Sequence, residues 1–174
     1  MRIISGLHKG RKIHAPKNLP VRPTTDRAKE ALFNILSNKY DLESLDVLDL
    51  FSGTGNISFE FASRNTKNVI AVDKNNNCTN FIKATSKDLD LNIDTILSDA
   101  LTFIKKTDRK FDVIFADPPY NSLFYKELKD LIVDRKLINN GGCLIIEHDK
   151  STLFDDQNIN IRKYGNVNFS ILEI

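Results

Sequence analysis

The pattern of apolar and polar positions changes character near residue 46. Ahead of it one helical stretch is legible. Ala28, Ala31, Leu32, Ile35 and Leu36 recur at helical spacing, and Thr24-Thr25-Asp26 supplies N-cap residues before them. Beyond residue 46, short apolar runs at 47–51, 69–72, 95–97, 111–116 and 143–146 alternate with helical stretches near 56–64, 75–88, 99–107 and 122–137. Each run is bounded by Gly, Asp or Asn, and most are rich in Val and Ile. Strands apolar on both faces and separated by helices predict a parallel sheet of βαβ units. The tail breaks this rhythm. Runs at 159–162 and 167–171 flank Gly165-Asn166 with no helix between them, which predicts a closing hairpin and an antiparallel edge.

The first residues follow neither pattern. Ile3-Ile4 and Lys12-Ile13-His14 flank a turn-like Gly6-Leu7-His8-Lys9-Gly10, which predicts a short hairpin with Lys9, Arg11 and Lys12 near its tip. Pro16, Pro20 and Pro23 keep the following segment extended. Neither an internal repeat nor a low-complexity linker divides the chain. The expected organisation is one α/β domain over residues 25–174, preceded by a basic N-terminal arm over residues 1–24.

Charge sharpens that division. Residues 1–30 hold eight Lys/Arg against two Asp/Glu, a balance of +6, whereas residues 31–174 hold seventeen against twenty-one, a balance of −4. A basic arm on a mildly acidic body suggests contact with a polyanion, although charge alone equally describes a solvated surface segment. No run of about 18 apolar residues is present, so no transmembrane helix is expected. The N-terminus lacks an apolar core and a small-residue cleavage site, so no signal peptide is expected. Cys78 and Cys143 fall in a predicted helix and a predicted strand, away from any His cluster. They read as core residues of a cytoplasmic protein rather than as a disulfide or a zinc site, and no metal is expected.

Four features carry candidate chemistry. Asp49-Leu50-Phe51-Ser52-Gly53-Thr54-Gly55 follows the first strand and opens a helix. Glycines there let backbone approach a ligand at the carboxyl edge of the sheet, and Asp49 adds a carboxylate for a cationic group. Ser58 stands where a dinucleotide fingerprint has its third glycine, which weakens a NAD-binding reading. Asp73, followed by Lys74, ends the second run twenty residues after Gly53, where a carboxylate can accept both ribose hydroxyls of an adenosine-type ligand. Asp99, followed by Ala100, ends the third run; it can reach an adenine amine or cap the next helix, and both readings stand. Asp117-Pro118-Pro119-Tyr120 ends the fourth run. Two prolines fix an extended turn, leaving the Asp117 carboxylate and the Pro118 carbonyl as acceptors beside an aromatic ring. An exocyclic amine on a flat base fits that constellation: two acceptors hold its hydrogens, and Tyr120 stacks on the ring. Glu147-His148 closes the fifth run at the same edge, where an ordinary strand end is the preferred reading.

Asp-Pro-Pro-Tyr after a Phe-x-Gly-x-Gly loop resembles the amino-methyltransferases that act on nucleic acids. Within that class the chain resembles the RsmD family from end to end. Arg2-Ile3-Ile4-Ser5-Gly6 with Lys9-Gly10-Arg11 matches that family's N-terminal signature. Arg22-Pro23-Thr24-Thr25-Asp26-Arg27, continuing through Glu30 to Leu36, matches its first helix. Two stretches depart: Asn56-Ile57-Ser58-Phe59 stands where small apolar residues and a glycine are usual, and Asn65-Thr66 where Gly-Ala is usual.

The resemblance implies a Rossmann-like class I methyltransferase fold, a seven-stranded, mostly parallel sheet with an antiparallel terminal hairpin. It implies S-adenosylmethionine as cofactor, held by Asp49, Phe51, Gly53, Gly55, Asp73, Lys74, Asp99 and Ala100. It implies methyl transfer to guanine N2 in 16S rRNA or the small ribosomal subunit, with Asp117, Pro118, Pro119 and Tyr120 orienting the amine. Arg2, Lys9, Arg11, Lys12, Arg22 and Arg27 would grip phosphates. A monomer is expected. The rival readings are a DNA adenine-N6 methyltransferase, a glutamine methyltransferase of translation factors and a cofactor-binding RNA assembly factor without catalysis. The absence of a separate target-recognition domain speaks against the first, and Asp rather than Asn at 117 speaks against the second.

Overall fold

A computed structural model describes residues 1–16, 19, 24–119, 122–150 and 158–174. After the arm, α1 (Asp26–Lys39) and a 3-10 turn (Leu42–Ser44) lead into β1 (Asp46–Leu50). Four alternations follow: α2 (Asn56–Ser63), β2 (Asn68–Asp73), α3 (Asn76–Asp88), β3 (Asp94–Leu97), α4 (Ala100–Lys106), β4 (Phe111–Ala116), α5 (Ser122–Asp134) and β5 (Ile138–His148). A hairpin of β6 (Ile159–Tyr164) and β7 (Val167–Glu173) closes the chain. The strand order is β3-β2-β1-β4-β5-β7-β6, parallel through β5 and antiparallel at β7 and β6.

These bounds follow from local chemistry. Thr25 caps α1 by accepting from the Ala28 amide, and Asn75 and Asp99 do the same for α3 and α4. β5 is longer than its apolar run predicts. The register shifts between Phe111 and Val113, and the resulting bulge carries Asn139-Asn140-Gly141-Gly142 inside the strand rather than ahead of it.

The sheet separates two apolar cores. Val47, Val69, Ala71, Val113, Phe115 and Ile145 face α1, α2 and α3. Their neighbours Leu48, Leu50, Ile70, Val72, Ile114, Leu144 and Ile146 face α4 and α5. Alternation of this kind on every central strand is why the runs read as apolar throughout. The chain reverses direction between β1, which leads to β2 and β3 on one side, and β4 on the other. A ligand cleft belongs outside the carboxyl ends of those two strands.

The arm forms the short hairpin its sequence predicts: Arg2 bridges Lys12, the Ile3 amide donates to the Arg11 carbonyl at 3.0 Å, and the Gly10 and Ile13 amides donate to the Ile3 and Met1 carbonyls at 2.8 and 3.0 Å. The amides of Ile4, Ser5, Leu7 and His8 find their acceptors on α2. Glu60 on α2 accepts from the Ile4 and Ser5 amides at 3.0 and 3.1 Å, and Ser63 takes Leu7 N through its carbonyl at 2.6 Å and His8 N through its hydroxyl at 3.0 Å. A Cβ at Gly6 (φ 84°) would stand 1.8 Å from the Ser63 carbonyl oxygen, so only glycine allows this approach. The hairpin therefore lies along α2, with its turn at that helix's C-terminus. Its open end lies toward the cleft, with Met1 Sδ 3.6 Å from Thr54 Oγ1.

A buried charge cluster holds arm, α1 and α2 together. Lys29 and Glu60 have side chains 1% and 0% exposed and meet at 3.1 Å. The Lys29 ammonium also donates to the Arg2 carbonyl (2.5 Å) and to Asn56 Oδ1 (2.9 Å), while Arg64 at the C-cap of α2 pairs with Glu60. Burial pulls the Lys29 proton affinity below the ordinary lysine value, and the Glu60 carboxylate opposes that pull.

Candidate active site at the carboxyl edge of the sheet

The loop after β1 is bent by three left-handed residues: Phe51 (φ 60°), Gly53 (φ 53°) and Gly55 (φ 77°). Phe51 adopts this conformation although it carries a Cβ, a strain that structures hold at ligand sites when their surroundings enforce it. At Gly55 the enforcement is packing, since a Cβ there would lie 2.9 Å from the Ile82 side chain and 3.0 Å from that of Phe59. The loop is tied to β2 by Asp73, whose Oδ2 accepts from the Gly53 amide at 2.8 Å and whose Oδ1 accepts from the Asn75 amide at 2.8 Å. Each oxygen retains a lone pair for a ligand.

A cleft of about 510 Å³ opens here, lined by Asp49, Phe51, Gly53, Asp73, Lys74, Asp99 and Ala100 on one side and Asp117, Pro118 and Pro119 on the other. The structure thus brings almost all of the expected cofactor and target residues around one cavity. Gly55 lies just outside it and shapes the loop. Asp99 caps α4, accepting from the Thr102 amide at 3.0 Å, yet it also stays exposed in the cleft wall. Tyr120 lies outside the described residues.

Three carboxylates share one face of the sheet at this edge. Asp49 pairs in register with Phe115, and Ala116 pairs with Ile146, so Asp117 and Glu147 follow one step beyond. By parity all three take the face of Phe115 and Ile145. Asp49 is fully buried; the Ser58 hydroxyl donates to it, yet burial pushes its carboxyl up to about 7. Burial also raises the Asp117 carboxyl, and the charges of Glu147 and Asp49 raise it further. Glu147 is raised by burial and pulled back by the Thr24 hydroxyl, which donates to Oε2 at 2.7 Å. Concentrated negative charge in a partly buried cleft favours a cationic ligand or bound protons.

Several contributors are not visible to sequence reasoning. Phe124 of α5 stands edge-on to Phe51 with centroids 5.6 Å apart, giving the cleft an aromatic wall. Thr24, the last residue of the arm, lines the cleft and bridges two elements: its hydroxyl serves Glu147 and its carbonyl accepts from Asn56 Nδ2 at 2.9 Å. Asn56 and Ser58 belong to the stretch that departs from the family pattern, and both are engaged in the site. Their one signal in the sequence is polarity at positions expected to be small and apolar.

Of the expected phosphate-gripping residues, Arg2, Lys9, Arg11, Lys12 and Arg27 are exposed, and Arg22 lies outside the described residues. Arg2 pairs with Asp26 at 3.2 Å. Arg2 and Lys12 stand at the open end of the hairpin and Lys9 at its turn, so the basic residues span the length of α2 rather than clustering at a tip. Cys78 and Cys143 are buried and unbridged. Among the described residues there is neither a metal-binding cluster nor a helix long and apolar enough to cross a membrane.

The family described as Conserved hypothetical protein 95 matches the chain over residues 1–173. The chain belongs to this family, the RsmD family. RsmD-family relatives include the ribosomal RNA small subunit methyltransferase D of Buchnera aphidicola subsp. Acyrthosiphon pisum, 37% identical over 85% of this chain and 78% of its own length. The protein of the same name from Haemophilus influenzae is 30% identical over 86% and 79%. A solved hypothetical protein of Thermus thermophilus superposes with a TM-score of 0.89 over 100% of this chain and 99% of its own at 24% identity, so the two share one fold from end to end.

Proposed function

We propose that this chain transfers a methyl group from S-adenosylmethionine to the exocyclic N2 amine of a guanine in 16S ribosomal RNA. It acts in the cytoplasm as a monomer, with residues 1–24 as an RNA-gripping arm on a catalytic domain of residues 25–174. The observation that carries the reading is the convergence of Asp117-Pro118-Pro119 and the Asp49–Gly55 loop with Asp73 on one cleft. The first group offers acceptors for an amine, the second carboxylates and close backbone for a nucleoside.

The donor set suits the cofactor. Asp73 keeps two free acceptor sites for vicinal hydroxyls, Asp49 and Asp99 offer negative charge to a cationic ligand, and Phe51 offers a ring face. A volume of about 510 Å³ lies in the usual range for small-molecule sites. When bound, S-adenosylmethionine supplies an activated methyl group on sulfur. The protein's part is positional. Asp117 and the Pro118 carbonyl take the two amine hydrogens and turn the nitrogen lone pair out of conjugation toward the cleft. Alignment of this kind carries most of the rate effect in such transfers. The target base must leave its stack to enter, which an unpaired rRNA loop permits at low cost. Arg2, Lys9, Arg11, Lys12, Arg22 and Arg27 hold the phosphates around it.

Nucleoside mass analysis tests the reading. The protein is incubated with S-adenosylmethionine and, separately, with small subunits lacking the modification, free 16S rRNA and duplex DNA. N2-methylguanosine from the ribosomal samples alone is the expected result. N6-methyladenine from DNA would overturn the substrate, and transfer to none of them would overturn catalysis.

A further inference from the structure

The hydrogen-bond chain through the arm ends on a carboxylate that the methyl-transfer chemistry above does not use. From the Ile4 and Ser5 amides it runs to Glu60, then through Lys29, Asn56 and Thr24 to Glu147. Glu147 is 4% exposed and sits beside Asp117, on the same sheet face, one register step past the Ala116–Ile146 pair.

The groups around this pair can be named. Asp49 approaches from β1 with Ser58 of α2 bonded to it, Thr24 approaches from the arm, and β7 places Phe169 opposite Glu147. His148 takes the other face, 2.8 Å from Ser170 Oγ. The buried ammonium of Lys29 is engaged by Glu60, Asn56 and the Arg2 carbonyl. Two carboxyls side by side, one buried and the other half-buried, do not both ionise readily. The raised proton affinities of Asp117 and Glu147 agree with that arrangement.

We propose that Asp117 and Glu147 form a carboxyl pair sharing one proton, in which Glu147 is a positioning residue that takes the proton when the target amine docks on Asp117, and Thr24 sets where that proton rests. The inference rests on the amine-methylating reading given above. The proton account closes. At rest the pair holds one carboxyl and one carboxylate. An amine hydrogen needs an acceptor at Asp117, so the Asp117 proton passes to the Glu147 carboxylate. As the nitrogen–methyl bond forms and the methyl–sulfur bond breaks, positive charge arrives on the base nitrogen. That nitrogen sheds one proton to the Asp117 carboxylate, and the pair releases one proton to water to regain its resting state. The Thr24 hydroxyl donates to Glu147 and so favours its ionised form; the arm thereby biases the resting proton toward Asp117.

Carboxyl-carbon NMR titration of the cofactor-free protein, followed by the pH dependence of methyl transfer to free 16S rRNA, tests this. In the unsubstituted protein both carboxyls should titrate as a coupled pair above the ordinary carboxylate range. Glu147→Gln removes the like-charged neighbour and should move the Asp117 titration, and with it the acid limb of kcat, down by about one pH unit or more. Thr24→Val removes the donor and should move the Glu147 titration up, drawing the resting proton from Asp117 toward Glu147. Glu147→Asp, which keeps a second carboxyl, should preserve the coupled titration. A merely structural role would lower activity in all three without opposite shifts. An Asp117 titration unchanged in Glu147→Gln overturns the pair, whether or not RNA is methylated. Failure of the functional reading shows separately, as absent transfer by the unsubstituted protein.

Discussion

The two faces of the central sheet solve different problems with the same strands. The face toward α4 and α5 is apolar along Leu48, Leu50, Ile70, Val72, Ile114, Leu144 and Ile146, and turns polar at the rim, where His148, Asn168 and Ser170 lie. The face toward α1 and α2 buries Asp49, Glu147 and Ser58, and the Lys29–Glu60 pair beneath the arm. An apolar face stabilises through burial alone. Buried charge contributes little net stability and instead fixes geometry and proton affinity. The arm docks on the charged face, so the segment read as gripping RNA and the carboxylates read as gripping an amine belong to one hydrogen-bonded unit.

The largest expected effect strikes that unit. Glu60→Leu leaves the Lys29 ammonium buried without its carboxylate and strips the Ile4 and Ser5 amides of their acceptor. It should cost about 3–5 kcal/mol by chemical denaturation, with faster amide exchange at residues 4 and 5. On the opposite face, Leu128→Ala should cost about 2–4 kcal/mol through its cavity while leaving exchange in the arm unchanged. Equal loosening of the arm by both substitutions would erase the contrast.

The faces should also separate by pH. Asp49, Asp117 and Glu147 hold protons in the folded chain at pH values where the unfolded chain has released them. A raised carboxyl therefore adds stability at low pH that is lost as pH rises through its folded value. Burial lowers the proton affinity of His148, which acts with the opposite sign below its ordinary value, so the clean window is about pH 6.5–8.5. Across it the cofactor-free protein should lose on the order of 2 kcal/mol as pH rises, and Leu128→Ala should lose the same amount. The smallest effect belongs to the arm's surface. Lys12→Ala should weaken rRNA binding and reduce the slope of log affinity against log salt by about 1, leaving stability unchanged.

Legibility in the sequence divides along the same line. Strand and helix alternation, the closing hairpin and the Asp49–Gly55, Asp73 and Asp117–Pro119 clusters are local patterns, and each stands where its spacing places it. The Lys29–Glu60 pair, the Thr24–Glu147 bond and the Phe51–Phe124 contact join residues 31, 123 and 73 positions apart, and periodicity carries no information about such partners. Glu147 illustrates the limit: a strand-end glutamate is ordinary until the β4–β5 register sets it beside Asp117. The arm divides the same way: its hairpin pairs as its flanking apolar residues predict, with Ile3, Gly10 and Ile13 bonded across it. Its docking on Glu60 and Ser63 of α2, more than fifty positions away, is not written in that local pattern.

The most direct test of the account measures two quantities on Asp117→Ala: cofactor affinity by calorimetry and methyl transfer to unmodified small subunits by nucleoside mass analysis. The account predicts affinity close to that of the unsubstituted protein and transfer reduced by about 10²–10³-fold, because Asp117 holds the amine rather than the cofactor. Full retained transfer, or loss of cofactor binding together with transfer, would contradict it.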